Sequence, residues 1–495
     1  MENVLLGLEQ LLQFNVLLAL VIGAIGGIIL GAIPGVGPAV GIAILLPITF
    51  SMEPLVGLTL LLGIYAASMY SGAIPSILIN TPGTAVAVLA TYDGYPMTQR
   101  GEGRRALTMA YTSSFFGGVF SVLFLMVLAL PLANFARRFG SAEFAMAALF
   151  AMIVVIFAHR KKAVAAAMTL ALGLFFASVG IEFAFTTQRY TFGQLWLFNG
   201  IPLIPMVLGL FAMSQGLTLL IDDHQESTLP KLTGSLWDGV KEAFSYPRVL
   251  LMSSSFGVFM GILPGVGEFM AQFFSYSSAQ RMSKTPELFG HGAPEGLIAS
   301  ESADNAVPAA ALIPLLALGI PGEALTAMML SVFYVHNVVP GPLLFETRPE
   351  FVMGLFLSML FTNFVIMGFM LVSTKWLVKI TIINPKFIGV VVLTLSLIGT
   401  YTSNYSLTDP LIALFFAFLG YILNRLDIPS VPIVLGLVLG PIFEARVRQA
   451  LGGAGGDISV FFTRPISLGL IVFMILTIAV FLWSARQQEK SNIPV

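Results

Sequence analysis

The residues best placed to do chemistry surround four Pro-Gly pairs. Gly31-Ala-Ile-Pro34-Gly35-Val36-Gly37 returns as Gly261-Ile-Leu-Pro264-Gly265-Val266-Gly267, a displacement of 230 residues (34 to 264). Ile74-Pro75, followed by Pro82-Gly83-Thr84-Ala85, returns as Ile313-Pro314, followed by Pro321-Gly322-Glu323-Ala324, a displacement of 239 (82 to 321). Of five Pro-Gly pairs in the chain, four fall in these two matched contexts. An internal duplication accounts for that order and spacing. Proline removes a backbone donor and glycine removes the side chain, so each pair breaks a helix. Half-helices made this way turn N-terminal dipoles and free N–H groups toward a common space that suits an anion, while unwound carbonyls suit Na⁺.

The expected contacts for an anionic solute are therefore Gly35, Val36 and Gly37; Asn80, Thr81, Pro82, Gly83 and Thr84; Gly265, Val266 and Gly267; and Gly319, Pro321 and Gly322. The expected Na⁺ site uses Asn80, Thr81, Ser302 and Asn305 with nearby carbonyls. Ser68, Ser71 and Ser76 border the first-half break, and Ser300, Glu301 and Asp304 precede its counterpart. Ionisable groups at membrane depth are costly and usually functional. Glu268 has two open readings: a working carboxylate, or a helix-N-terminal one facing the interface. His159, His224, His291 and His336 form no pair at metal-ligand spacing, and His336 reads as a satisfied interior residue.

Such breaks matter only inside a bilayer, and the composition puts them there. Of 495 residues, 57% are hydrophobic and 10% charged, against about 25% charged in a soluble domain. Mean hydropathy is +0.92. No Asp, Glu, Lys or Arg occurs between Glu9 and Glu53, Glu53 and Asp93, Arg105 and Arg137, or Lys386 and Asp409. A helical span takes about 20 apolar residues, so these runs hold several crossings. The net charge of −1 points to no nucleic-acid partner. The absence of cysteine excludes disulfides, thiolate metal sites and cysteine nucleophiles. There is no Walker A sequence, His-Glu-x-x-His or Gly-x-Ser-x-Gly, so no enzyme class is indicated and no cofactor beyond a coupling ion is expected.

The polar stretch from Ile221 to Arg248 divides the chain. Within it Leu236, Trp237, Val240 and Phe244 recur at helical spacing, which predicts a helix lying in the interface. Segments 106–130, 141–158, 163–185 and 201–220 read as four crossings. Alternate loops carry Arg100, Arg104, Arg105, Arg160, Lys161, Lys162, Lys231, Lys241 and Arg248, against Arg137, Arg138 and Arg189 on the other side. That bias places loop 91–105 and the linker in the cytoplasm. The expected fold is an all-α polytopic membrane protein of about 10–12 transmembrane segments, some re-entrant or broken. Its expected parts are a first repeat (1–220), a cytoplasmic linker with an interfacial helix (221–248) and a second repeat (249–495), the two repeats inverted in topology.

The ordered motifs resemble the large membrane subunit of the tripartite tricarboxylate transporter family (TctA-like). They are Pro34-Gly35-Val36-Gly37, Asn80-Thr81-Pro82-Gly83-Thr84, Asp93-Gly94-Tyr95-Pro96-Met97, Gly180 followed by an acid, and Arg189-Tyr190-Thr191-Phe192-Gly193. Pro264-Gly265-Val266-Gly267, Phe289-Gly290, Glu295-Gly296, Leu318-Gly319-Ile320-Pro321-Gly322, Pro340-Gly341-Pro342, Gly399-Thr400-Tyr401, Gly420-Tyr421 and Leu439-Gly440 with Glu444 follow in order. The resemblance implies a secondary transporter of the bacterial inner membrane importing carboxylates on a gradient of Na⁺, or of H⁺. It also implies two partners, a small membrane subunit (TctB-like) and a periplasmic solute-binding protein (TctC-like). Asp304, Glu323 and the pair His336-Asn337 depart from the family pattern, which has Asn, a small polar residue and His-Gly there; Glu182 replaces an Asp. Two extra acids would repel a polyanion unless protonated or paired with a cation. A gated channel is the competing expectation, because re-entrant glycine-rich backbone also builds selectivity filters.

Overall fold

The structure is a computed structural model that describes residues 2–84, 86–159, 162–182, 186–222, 235–381 and 384–491. Ala85, Arg160, Lys161, Asp223, His224, Glu226 and Lys231 lie outside the described residues. About 80% of the described residues are helical. Among the described residues seven helices are long and apolar enough to cross a membrane: Phe14–Gly31, Pro54–Ile79, Gly103–Ala136, Ser141–Ala158, Leu203–Ile221, Pro349–Ile380 and Pro385–Asn404. Shorter apolar helices include Pro38–Thr49, Ala163–Ala177, Pro247–Ile262 and Ala324–Val335. The protein is an all-α polytopic membrane protein.

Both Pro-Gly pairs of each half interrupt helices. Phe14–Gly31 stops before Pro34 and Pro38–Thr49 resumes; Pro247–Ile262 stops before Pro264 and Gly267–Met282 resumes. The buried Pro54–Ile79 helix gives way to Val88–Gln99, as Pro294–Leu318 gives way to Ala324–Val335. Helix pairing follows the same pattern in both halves. Gly23, Gly27 and Gly31 line one face of their helix, and a Cβ on them would stand 2.5, 2.6 and 2.4 Å from the carbonyls of Leu60, Ile64 and Ser68. Small residues bring backbones together where lipid supplies no hydrophobic drive. Gly257 plays that part in the second half, 2.4 Å from the Ala303 carbonyl by the same measure.

The halves exchange helices. Gly103–Ala136 packs on Pro294–Leu318, and Pro349–Ile380 packs on Pro54–Ile79. Val431–Gly453 lies against Ser141–Ala158 and Ala163–Ala177, whereas Leu203–Ile221 lies against Pro385–Asn404 and Thr408–Arg425. The polar stretch contains a helix, Leu236–Ser245, whose Ser235 hydroxyl caps it by accepting from Trp237 N at 3.2 Å. Glu242 pins it to Arg105 through bonds of 2.6 and 2.5 Å, and Trp237 and Phe244 stay exposed, as an interfacial helix requires.

One expected crossing is shorter than the sequence suggests. Segment 163–185 is helical only to Ala177, and the chain then forms a strand pair, Gly180–Ile181 with Gln188–Arg189. Gly180 takes φ +123°, and a Cβ there would meet Gly200 N at 2.9 Å. The apolar helix ends before the polar residues Glu182, Thr187, Gln188 and Arg189.

Candidate functional site

The second break of each half is built alike. Pro75 and Pro314 lie inside their helices, and each carbonyl accepts a late bond, from Thr81 N and Ile320 N respectively, both at 3.3 Å. The helices end on left-handed residues, Asn80 at φ 55° and Gly319 at φ 73°. Asparagine tolerates that conformation because its short side chain bonds locally, and glycine has no Cβ to clash. At the first breaks Gly35 and Gly265 both take φ 76°.

Within each half the two breaks meet. Gly265 N donates to Gly322 O at 2.6 Å. In the first half Gly83 N donates to Gly72 O at 3.3 Å, a Cβ on Gly83 would stand 2.7 Å from Gly31 O, and Gly37 faces the Thr84 methyl. The predicted groups Gly35–Gly37 with Gly83–Thr84, and Gly265–Gly267 with Pro321–Gly322, are thus brought together in pairs. Asn80 is exposed and Thr81 bonds Ile79 O at 3.3 Å. Ser302 bonds Ser254 Oγ at 2.7 Å and Leu250 O at 3.3 Å. Among the described residues no hydrogen bond joins Asn80, Thr81, Ser302 and Asn305 to one another.

The second-half junction carries four buried carboxylates. Glu268, Glu301, Asp304 and Glu323 are 9%, 3%, 2% and 6% exposed. Glu268 starts the helix after the first break, and Glu323 caps the helix after the second, its N–H donating to Thr326 Oγ1 at 3.0 Å. Between them stands Tyr65 of the first half, whose Oη lies 3.0 Å from Glu268 Oε1 and also bonds Glu323 Oε1. A phenol has one hydrogen to donate. The Glu268 and Glu323 carboxyl oxygens therefore compete for that one hydrogen. Gln272 donates to Asp304 Oδ1 at 2.6 Å, and Ser114 donates to Glu301 Oε2 at 2.9 Å while accepting from Asn305 Nδ2 at 2.8 Å. Asn305 Oδ1 is buried and without a hydrogen-bond partner among the described residues.

Glu268 is buried and sits in the first turn of Gly267–Met282. Tyr65, Gln272 and Ser114 escaped the sequence reading because nothing local marks them. The one available signal for Tyr65 was a hydroxyl inside a charge-free run, which must find a partner when buried. His336 is a satisfied residue, its Nε2 3.1 Å from Thr49 O.

Two other sets of motif residues assemble elsewhere. Asp93 is fully buried, and its Oδ1 accepts from Gly290, Gly292 and Ala293 N at 2.9, 2.9 and 2.8 Å, while Oδ2 accepts from Tyr276 Oη at 2.8 Å. Glu182, Arg189, Glu444 and Arg448 border a cavity of about 990 Å³, which no residue of the four breaks lines.

The chain matches the family model described as the tripartite tricarboxylate transporter TctA family over residues 17–435. The chain belongs to this family. A 52.8 kDa protein in the TAR-I ttuC' 3' region of Agrobacterium vitis, described as uncharacterized, is 32% identical over 480 residues, covering 97% of this chain and 94% of that one. A second protein, in the TAR-II ttuC' 3' region of the same organism, is 35% identical over 237 residues, 48% of this chain and 98% of that one. No solved structure matches. Membership makes the chain a membrane subunit of a multi-subunit transporter, in a family of transporters and not of enzymes.

Proposed function

We propose that the protein is the large membrane subunit of a binding-protein-dependent secondary carrier in a bacterial inner membrane. It imports small organic carboxylates on a cation gradient, with a small membrane subunit and a periplasmic solute-binding protein as partners. The supporting observation is that paired helix breaks recur in both halves with the same backbone geometry, at Asn80 and Gly319 and at Gly35 and Gly265. Free N–H groups and helix N-termini at such breaks bind anions, and moving two broken-helix units against a scaffold exposes them alternately. The matched breaks and exchanged helices support two inverted repeats, 1–220 and 249–495, around the linker 221–248. Substrate carboxylate is assigned to Gly35–Gly37, Asn80–Thr84, Gly265–Gly267 and Gly319–Gly322, and Na⁺ to Asn80, Thr81, Ser302 and Asn305 with nearby carbonyls.

A specific observation favours a second coupling ion. The Glu268–Tyr65–Glu323 trio sets two buried carboxyl groups on one phenol hydroxyl, the kind of ionisable cluster at membrane depth that serves proton-coupled carriers. The deciding experiment is solute uptake into proteoliposomes with both partner proteins, under an imposed Na⁺ gradient or an imposed pH gradient. Asn80→Ala and Asn305→Ala should depress uptake and its Na⁺ dependence. Unchanged uptake with unchanged ion dependence in both variants removes the site assignment, and passive flux after gradient collapse removes the carrier.

A further inference from the structure

The 990 Å³ cavity lies within the size range of ligand sites, about 300–1,000 Å³. Its walls include Phe176, Ile181, Phe198 and Leu437, and its charged rim is made by four side chains drawn from distant parts of the chain. Arg189 Nη2 lies 2.9 Å from Glu444 Oε1 and 3.1 Å from Glu182 Oε2; Arg448 Nη1 lies 2.5 Å from Glu182 Oε1 and its Nη2 2.9 Å from Glu444 Oε1. Each guanidinium thus holds two carboxylates and each carboxylate bridges two guanidiniums. Strand pairing of Gly180 with Arg189 sets the hairpin side, and one turn of Val431–Gly453 carries Glu444 and Arg448. Motifs that the broken helices do not use, Gly180 with Glu182, Arg189 and Glu444, converge here.

We infer that this pocket is a second carboxylate-binding site, in which an organic acid takes the place of Glu444 on Arg189 and lays its apolar body against the pocket wall. The inference rests on the carrier reading for its solute class. Guanidinium forks pair with carboxylates bidentately, and the rim already shows one such pair, Arg189 with Glu444. The two glutamates differ in what replacement would cost. The Glu444 side chain is 38% exposed and can turn to water, whereas Glu182 is 11% exposed and stays. Exchange of one carboxylate for another leaves Arg189 paired, and Arg448 keeps Glu182. The bias of basic residues sets Arg189 on the side opposite the cytoplasmic loops, which makes the pocket a receiving station ahead of the broken helices.

The chain has no cysteine, so a single reporter is clean. Asn199, which lines the pocket, is changed to cysteine in the purified full-length protein, and its modification by N-ethylmaleimide is timed with citrate, succinate or neutral succinamide. The expected result is saturable protection by the acids and none by succinamide. Adding Arg189→Gln should raise the half-protecting concentration about tenfold or more, the value of one charge-assisted pair. Arg189→Lys, which keeps the charge and loses the fork, should fall between, and serves if Arg189→Gln does not fold. No protection by either acid, or equal protection after loss of Arg189, overturns the site. Uptake by the unmodified protein with its partners separates the readings: uptake without protection removes this pocket alone, and absent uptake removes the carrier.

Discussion

The hydroxyl of Tyr65, in the first half of the chain, is hydrogen-bonded to the carboxylate of Glu323, in the second, and Glu268 shares the same hydroxyl. The bond ties the buried Pro54–Ile79 helix to the break that follows Pro321-Gly322. Tyr65→Phe keeps the ring and deletes the bridge. A buried bond to a charged group is worth about 1.5–3 kcal/mol, so the variant should melt at lower temperature and show a shifted pH profile of uptake. An unchanged Tm together with an unchanged profile would falsify the bridge.

Asp93 ties two stretches of backbone together by accepting three N–H bonds at one oxygen. Asp93→Ala leaves Gly290, Gly292 and Ala293 unpaired and should cost about 3 kcal/mol or more. Asp93→Asn keeps one acceptor oxygen and should cost less. Limited proteolysis near residues 290–293 and thermal melting read the difference; equal stability of all three proteins would contradict the anchor.

Glycine at the helix contacts can be tested as a pair. A Cβ on Gly117 would stand 2.2 Å from Ser302 O, whereas Gly26 has nothing within 4 Å. Gly117→Ala must push Gly103–Ala136 off Pro294–Leu318 and should lower Tm and folded yield. Gly26→Ala faces open space and should leave both unchanged or slightly improved. The reverse ranking would show that the two helices do not touch there.

The rim charges predict a pH dependence. Hydrogen bonds from Arg189 hold the Glu444 carboxyl below its ordinary value, with burial opposing. A depressed carboxyl stabilises fully above its unfolded value, about 4.3, and that stabilisation fades as pH falls through the folded value. The Tm gap between the protein and its Glu444→Gln variant should therefore be full at neutral pH and shrink as pH falls below the unfolded value of about 4.3. A gap that widens on acidification would reverse the sign and exclude this pairing.

Class, breaks and family were readable from the chain alone. Charge-free runs can only be spans, because an unpaired backbone is not tolerated in lipid, and proline followed by glycine cannot continue a helix wherever it lies. Those are local rules, so Pro34-Gly35, Pro82-Gly83, Pro264-Gly265 and Pro321-Gly322 declared themselves. The helix Leu236–Ser245 was also legible, since Leu236, Trp237, Val240 and Phe244 repeat within one short segment.

What lies opposite each break was decided only by the tertiary structure. Tyr65 meets Glu323 across a separation of 258 residues, Ser114 meets Glu301 across 187, and Arg189 meets Glu444 across 255. Such pairs come from packing, through glycines that let one backbone approach another and through helices exchanged between halves. A side chain's partner depends on that approach and leaves no periodic trace in its own neighbourhood, which is why the acids were visible in the sequence but their company was not.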